Sequence, residues 1–228
     1  MSATTISSIK ARIRTTLRAN AIVAPKRASA LMAFKPASIH GKLYEVLVLS
    51  EIIEKLNTVE GYSIRLLKSS KLVLKQKGGW LNSKYPHFEL SKLGKVKAEL
   101  WNDVYFATLS NHKTGTVIES VPGNYHELDI ALIKPGIFKY PKHTDIYIGV
   151  ECKNTNIEKN IIREVLGFRR ELSYVGPYQP TIFLKWPTNQ VKANPSSIHL
   201  FYCTDKALMS YKANCDEFGT MLEFMNMH

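Results

Sequence analysis

The stretch IYIGVECKN, residues 146–154, is the clearest strand in the sequence and decides the fold. Every second residue from Ile146 to Cys152 is apolar, which is the pattern of a strand with one buried face. The opposite face carries Glu151 and Lys153 at the end of the strand. Charged groups on a half-buried strand are unfavourable unless they are paired or bind a metal. A helical pattern follows this strand, and strands flanked by helices predict an α/β fold.

A second strand, HELDIALI at residues 126–133, comes shortly before the first one. Two strands joined by a loop of about a dozen residues most easily form an antiparallel pair. The predicted register brings Asp129 beside Glu151, with Lys153 next to both. Two carboxylates at close range favour a bound cation, and oxygen ligands select Mg²⁺ or Mn²⁺. Alternation predicts one apolar face on this strand, formed by Leu128, Ile130 and Leu132.

Asp129 and the tripeptide Glu151-Cys152-Lys153 together resemble the motif of the PD-(D/E)XK phosphodiesterase superfamily, the restriction-endonuclease-like nucleases. Glu151-x-Lys153 is the only [Asp/Glu]-x-Lys in the sequence, although Leu128 stands where the superfamily has its proline. The resemblance implies that Asp129, Glu151 and the Cys152 carbonyl bind the metal and that Lys153 is catalytic. It also implies an α-β-β-β-α-β core with a further acid on the first helix.

The predicted first helix, residues 41–57, offers two candidates for that acid. Glu45 shares an apolar helix face with Val48 and Ile52, where an unpaired carboxylate is unfavourable. Glu51 lies among charged residues and fits a solvated face. We therefore expect Glu45 to bind the metal and take part in catalysis. The alternative is a semi-buried Glu45 that pairs with a lysine or arginine.

The chain has 31 Lys and Arg against 19 Asp and Glu, a formal net charge of +12 over 228 residues. An excess of this size predicts a polyanionic partner, nucleic acid before an anionic membrane. Basic residues interleave with Trp80 in residues 68–80, a composition that favours nucleic acid. The predicted contacts are Lys71, Lys75 and Lys77, together with Lys159, Arg163, Arg169 and Arg170 on the helix after residue 154.

Residues 1–40 are basic and contain no acid, and we expect them to form a basic N-terminal arm. The alternative for this segment is an organelle transit peptide. We expect residues 41–228 to form one nuclease domain with an insert at about 74–118. A helical stripe in the arm consists of Ile6, Ile9, Ile13 and Leu17. The further predicted elements are a strand pair at 62–79, a helix near 89–101, strands at 104–109, 181–186 and 198–204, and a helical tail from about Asp205.

The three cysteines are widely spaced, which argues against a disulfide framework or a zinc ribbon. No apolar run reaches the roughly 18 residues that span a bilayer. We expect an α/β fold, a restriction-endonuclease-like mixed sheet flanked by helices, in a cytoplasmic protein that binds DNA and no membrane. A homodimer is left open.

The predicted function is a Mg²⁺- or Mn²⁺-dependent nuclease that hydrolyses DNA phosphodiester bonds, an endonuclease of restriction, defence or mobile-element type. The alternatives are a non-catalytic nucleic-acid-binding module on the same fold, and a basic scaffold on RNA or a membrane.

Overall fold

The computed structural model describes residues 3–22, 32–33, 39–69, 72–73, 78–112, 121–176, 181–186 and 193–227. Within these residues the chain forms five α-helices: α1 (Ala3–Asn20), α2 (Ile39–Thr58), α3 (Leu109–His112), α4 (Lys159–Leu172) and α5 (Lys212–Glu217). Short 3-10 turns occupy Pro122–Asn124, His143–Asp145 and Lys206–Tyr211. No helix in the described part of the chain is long and apolar enough to cross a membrane.

Eleven strands lie in the same described ranges: β1 (Met32–Ala33), β2 (Ser63–Leu67), β3 (Leu72–Val73), β4 (His87–Lys92), β5 (Lys95–Ala107), β6 (Tyr125–Ile133), β7 (Ile146–Lys153), β8 (Tyr174–Val175), β9 (Ala193–Asn194), β10 (Ile198–Cys203) and β11 (Thr220–Phe224). Seven of them form one sheet in the order β11-β10-β7-β6-β5-β4-β2. Pairing is antiparallel from β2 to β7 and parallel from β7 through β10 to β11. The α/β fold with a mixed sheet is therefore confirmed, as is the antiparallel pairing of β6 with β7.

Helices cover both faces of this sheet. On one face α1 and α2 pack over the sheet through a core that includes Leu47, Ile130 and Val150. On the other face α4 packs over β10 and β11, where Val165 and Phe201 share a second core. The parallel step from β7 to β10 requires a crossover, and α4 supplies it. The predicted stripe of α1 is confirmed, because Ile9, Ile13 and Leu17 are buried against this first core.

The helix predicted near 89–101 is wrong, because this segment forms the β4–β5 hairpin. Leu93 and Gly94 sit at its tip with φ of 54° and 73°. Positive φ at both central residues is the geometry of a two-residue hairpin turn. The segment 74–118, predicted as an insert, thus contributes β4 and β5 to the seven-stranded sheet.

The strand predicted at 181–186 is also wrong, and a buried carboxylate explains why. The backbone N–H groups of Leu184, Lys185 and Trp186 donate to the Glu60 carboxylate at 2.6–3.2 Å. These groups are thereby satisfied without a neighbouring strand. Phe183 and Trp186 are buried while the backbone wraps around Glu60.

Two further predictions differ from the structure. The described residues of 62–79 do not form the predicted strand pair, since β2 pairs with β4 whereas β3 pairs with β1. The tail after Asp205 does begin with a 3-10 turn and α5, but it ends in β11, an edge strand that the sequence did not predict.

Candidate metal centre

The candidate centre lies where β5 and β6 meet the beginning of α2, and a break in strand alternation creates it. Asp103 in β5 has a φ of 52°, which is rare for a residue other than glycine. In a regular strand, residues three apart point to opposite faces. Trp101 and Val104 lie on either side of Asp103 and are three residues apart, yet they share one apolar cluster. Leu128 and Ala131 of β6 share the same cluster and are likewise three residues apart.

The break changes which side chains point to α2. The apolar face predicted for β6 is therefore wrong in part, because Leu128 does not pack with Ile130 and Leu132. The Asp103 carboxylate instead lies within hydrogen-bond distance of Lys42 on α2, at 2.5 Å. Backbone geometry thus directs a fully buried acid towards the helix.

Three carboxylates converge at this point. Glu45 of α2, Asp103 of β5 and Asp129 of β6 each offer an oxygen, and these atoms all lie within 4.8 Å of one another. Asp129 is fixed where the β6–β7 ladder opens, since the last paired residues are Ile130 and Val150. One Asp129 oxygen accepts the backbone N–H of Cys152 at 2.7 Å, so the other remains available to the group.

Lys42 holds two of these carboxylates together. Its Nζ lies 2.7 Å from Glu45 and 2.5 Å from Asp103, and the Asp103 side chain is 0% exposed. Asn102 donates a further hydrogen bond to the second Asp103 oxygen at 2.8 Å. Burial lowers the pKa of Lys42, but hydrogen bonds to Asp103 and Glu45 outweigh this effect, so the pKa is raised. A charged ammonium therefore lies between Glu45 and Asp103.

Burial and mutual repulsion raise the pKa values of two of these acids. Burial and the neighbouring Asp129 raise the pKa of Glu45 to about 8, against the lowering effect of Lys42. Burial also raises the pKa of Asp129, although the Cys152 N–H and the ammonium groups of Lys42 and Lys153 oppose the rise. A cation between the carboxylates would offset the repulsion between them, although it would have to compete with the proton of Glu45.

Glu151 and Lys153 lie next to this group. Among the described residues, the set of mutually close carboxylates does not include Glu151. Glu151 is the register partner of Phe201, which packs towards α4. A carboxylate oxygen of Glu151 lies 4.0 Å from Lys153 Nζ. Burial and Asp129 raise the pKa of Glu151 well above its usual value, with Lys153 opposing. Glu151 and Asp129 are therefore electrostatic neighbours, while the Cys152 backbone contributes a donor to Asp129.

The predicted nucleic-acid contacts have three different outcomes. Lys159, Arg163 and Arg170 are exposed on α4. Arg169 is buried, and it donates to Phe218, Ser173 and Ser197, so its guanidinium holds elements of the core together. The remaining predicted contacts, Lys71, Lys75 and Lys77, lie outside the described residues.

Sequence reasoning missed Asp103 and Lys42. The signal for Asp103 was present in LWNDVYF, where an acid interrupts an apolar strand as Asp129 does in HELDIALI. The signal for Lys42 was its spacing of three residues before Glu45, which permits an ion pair on a helix. The alternative considered for Glu45, pairing with a basic residue, is what the structure shows in Lys42.

The donor set fits a hard divalent cation. Its ligands are carboxylate oxygens from three different elements, which suit Mg²⁺ or Mn²⁺ and not a softer metal. The Lys42 ammonium already bridges two of the carboxylates and acts as a stand-in cation.

Comparison of the chain with protein-family models, with curated proteins and with solved structures finds no match.

Proposed function

We propose that this protein is a Mg²⁺- or Mn²⁺-dependent nuclease that hydrolyses DNA phosphodiester bonds as an endonuclease. The observation that carries the proposal is the convergence of Glu45, Asp103 and Asp129 within 4.8 Å, beside Lys153 on the next strand. A polyanionic substrate suits the formal net charge of +12. An acidic centre within a basic chain is the arrangement that cation-assisted cleavage of a polyanion needs.

The order of the elements supports the same proposal. With β2, β3 and β4 inserted after α2, the chain runs through α2, then β5, β6 and β7, then α4 and β10. The last strand of this order is β10 and not the strand predicted at 181–186. This order agrees with the α-β-β-β-α-β core implied by the resemblance to PD-(D/E)XK nucleases. Asp129 and Lys153 lie on the adjacent strands β6 and β7, where that resemblance puts the metal ligand and the catalytic lysine. A restriction-endonuclease-like fold is accordingly part of the proposal.

The residues at the site would divide into cation ligands and groups that act on the ligands or on the substrate. Glu45, Asp103 and Asp129 would hold the cation, which when bound supplies positive charge to the scissile phosphate and acidifies water. The Cys152 N–H fixes one oxygen of Asp129. Lys153 is about one-third exposed, so its ammonium can reach both Asp129 and a phosphate approaching from solvent. Lys153 would orient the attacking water and stabilise charge that develops on phosphorus oxygens.

A second function, nucleic-acid binding without cleavage, is favoured by one observation. Lys42 already bridges Glu45 and Asp103, so these two carboxylates have a positive partner without a metal. A protein of this kind would keep the fold and the basic surface but would bind no divalent cation at these carboxylates.

A plasmid-cleavage assay separates the two functions. Supercoiled DNA is incubated with the parent protein in Mg²⁺, in Mn²⁺ and in EDTA, and with the variants Asp129→Ala and Lys153→Ala. We expect cleavage by the parent in either metal, no cleavage in EDTA, and a loss of at least about 100-fold in both variants. Glu51→Ala is the matched control, because Glu51 lies on α2 but pairs with Lys55 away from the group.

Metal-independent binding with no cleavage by the parent would favour the non-catalytic function. Cleavage by both variants at the rate of Glu51→Ala would show that another site performs the chemistry.

A further inference from the structure

An open groove of about 720 Å³ lies beside the candidate metal centre. Residues 78–85 line one part of it, and Phe138 and Lys139 line the other. Phe138 is 67% exposed, although a phenylalanine of this kind normally packs inside a protein. Lys84 and Lys139 are exposed at the same groove. The groove therefore combines aromatic rings with positive charge.

Trp80 is the centre of an aromatic cluster in this groove. Its ring centroid lies 5.7 Å from that of Tyr105, 5.4 Å from that of Tyr125 and 4.7 Å from that of Tyr140, with interplanar angles of 62–87°. Edge-to-face contacts of this kind hold the rings in fixed orientations. All four rings are half-buried, so each keeps part of its surface in solvent. A fixed, partly exposed set of rings loses little entropy when it stacks on a ligand.

Backbone hydrogen bonds connect the groove to the metal centre. The Gly79 N–H donates to the Asp103 carbonyl at 3.1 Å, and the Tyr105 N–H donates to the Gly79 carbonyl at 2.9 Å. Tyr105 also follows Asp103 by two residues on β5. Gly78 lies so close to Glu127 and Tyr105 that a Cβ there would overlap both side chains. The aromatic cluster is thus held at a fixed position next to the three carboxylates.

Aromatic rings and lysines together fit one class of polyanion best. Rings can stack on nucleobases whatever the base, while lysines contact the phosphates. Within a duplex the faces of the bases are covered by their neighbours, so a protein ring can stack only on an unpaired base.

We infer that this groove binds the unpaired bases of single-stranded DNA next to the bond that is cut. The inference deepens the proposed nuclease function and depends on it for the position of the cut. Trp80 and Phe138 are the stacking residues, and Lys84 and Lys139 contact the adjoining phosphates. The substrate class is accordingly DNA with a single-stranded segment beside the scissile phosphate.

Tryptophan fluorescence tests the binding step without any cleavage. Trp101 and Trp186 are only 3% and 8% exposed, so Trp80 is the tryptophan of the three that a ligand can reach. The parent protein is titrated in EDTA with an unlabelled oligo(dT) and with a blunt hairpin duplex of similar length. We expect oligo(dT) to quench the fluorescence and to bind more tightly than the duplex. Trp80→Phe should remove most of the quenching.

Two truncations measure the contribution of stacking, with affinity followed by anisotropy of a labelled oligo(dT). Trp80→Ala and Phe138→Ala should each weaken oligo(dT) binding by about 5- to 150-fold, the loss that corresponds to one stacked base, and leave duplex binding unchanged. Phe224→Ala is the control, since Phe224 is an exposed phenylalanine on β11, the edge strand at the other side of the sheet. It should bind oligo(dT) as the parent does.

The inference is overturned if Trp80→Ala and Phe138→Ala bind oligo(dT) like Phe224→Ala, or if the duplex binds as tightly as oligo(dT). Failure of the nuclease proposal gives a different result. In that case the EDTA titrations would show the expected preference for oligo(dT), but single-stranded DNA would stay intact in Mg²⁺ and Mn²⁺.

Discussion

Replacing Lys42 by methionine should destabilise the metal-free protein substantially. Methionine keeps the unbranched apolar stem but removes the ammonium that contacts Glu45 at 2.7 Å and Asp103 at 2.5 Å. Asp103 is fully buried, so Lys42→Met leaves a buried carboxylate without its counter-charge. Breaking a buried ion pair from one side costs about 3–5 kcal/mol. We expect the lower part of this range, because Glu45 can take up a proton and relieve part of the repulsion.

Divalent cations should restore part of this loss. If the three carboxylates bind Mg²⁺ with a dissociation constant of about 1 mM, then about 10 mM Mg²⁺ stabilises the folded state by roughly 1.4 kcal/mol. The parent protein should gain less, since its Lys42 ammonium competes with the ion for Glu45 and Asp103. The assay is urea unfolding followed by tryptophan fluorescence, with parent and variant each measured in EDTA and in Mg²⁺.

The control for this experiment is Arg65→Met. Arg65 pairs with Glu89 across two strands at the surface, and its side chain is 60% exposed. Exposed pairs contribute about 0–1 kcal/mol, and no Mg²⁺ effect is expected there. The reasoning is refuted if Lys42→Met loses no more stability than Arg65→Met, or if Mg²⁺ stabilises the parent and Lys42→Met to the same extent.

Three other perturbations have defined outcomes. Burial and then Arg169 lower the pKa of His199 to about 3, and neither ring nitrogen has a hydrogen-bond partner among the described residues. The unfolded chain therefore binds a proton below about pH 6.5 that the folded protein does not, so stability should fall by up to about 4–5 kcal/mol towards pH 3. His199→Phe should make urea unfolding less sensitive to acid, and equal losses in parent and variant between pH 7 and pH 4 would contradict this. Glu60→Ala removes the acceptor of three backbone N–H groups, so the rate of amide hydrogen exchange at Leu184–Trp186 should rise while the rate in β6 stays unchanged. Continued protection of residues 184–186 would show that the Glu60 carboxylate is dispensable. Neutralising Lys71, Lys75 and Lys77 together should weaken DNA binding and reduce the salt dependence of the affinity by up to about 0.9 log unit per lost phosphate contact. An unchanged salt dependence would mean that these lysines are merely solvated.

Elements with strict local patterns could be predicted from the sequence. β7 follows from the alternation of Ile146, Ile148 and Val150, and the helical stripe of α1 follows from residues spaced by three or four. In both cases the most buried side chains recur on one face of the element, so the apolar periodicity predicts that face. The same reasoning located Asp129 and Glu45, because each is an acid within an apolar pattern.

Elements that depend on distant partners could not be predicted in the same way. The β4–β5 hairpin turns at Leu93-Gly94, and leucine is not a residue that normally marks a turn with positive φ. The segment 181–186 is apolar enough for a strand, but the Glu60 carboxylate, more than 120 residues earlier, satisfies its backbone instead. Local sequence carries no record of such a partner.

The group of three carboxylates was predicted only in part for the same reason. Asp103 joins the group only because its backbone adopts a φ of 52° and breaks the alternation of β5. Glu151 was expected beside Asp129, and the register that ends at Ile130 and Val150 does make the two acids neighbours, but among the described residues Glu151 is not one of the three mutually close carboxylates. A break in alternation is set by packing on both faces of the sheet, which a single strand pattern does not contain.

Anomalous scattering from a crystal soaked in Mn²⁺ tests the central claim most directly. A metal centre at the three carboxylates predicts an anomalous peak at coordination distance from oxygens of Glu45, Asp103 and Asp129, with the Lys42 ammonium displaced from at least one of them. Loss of the peak in an Asp129→Ala crystal would agree with this. A crystal without a peak at this position, in which Lys42 still bridges Glu45 and Asp103, would contradict the claim.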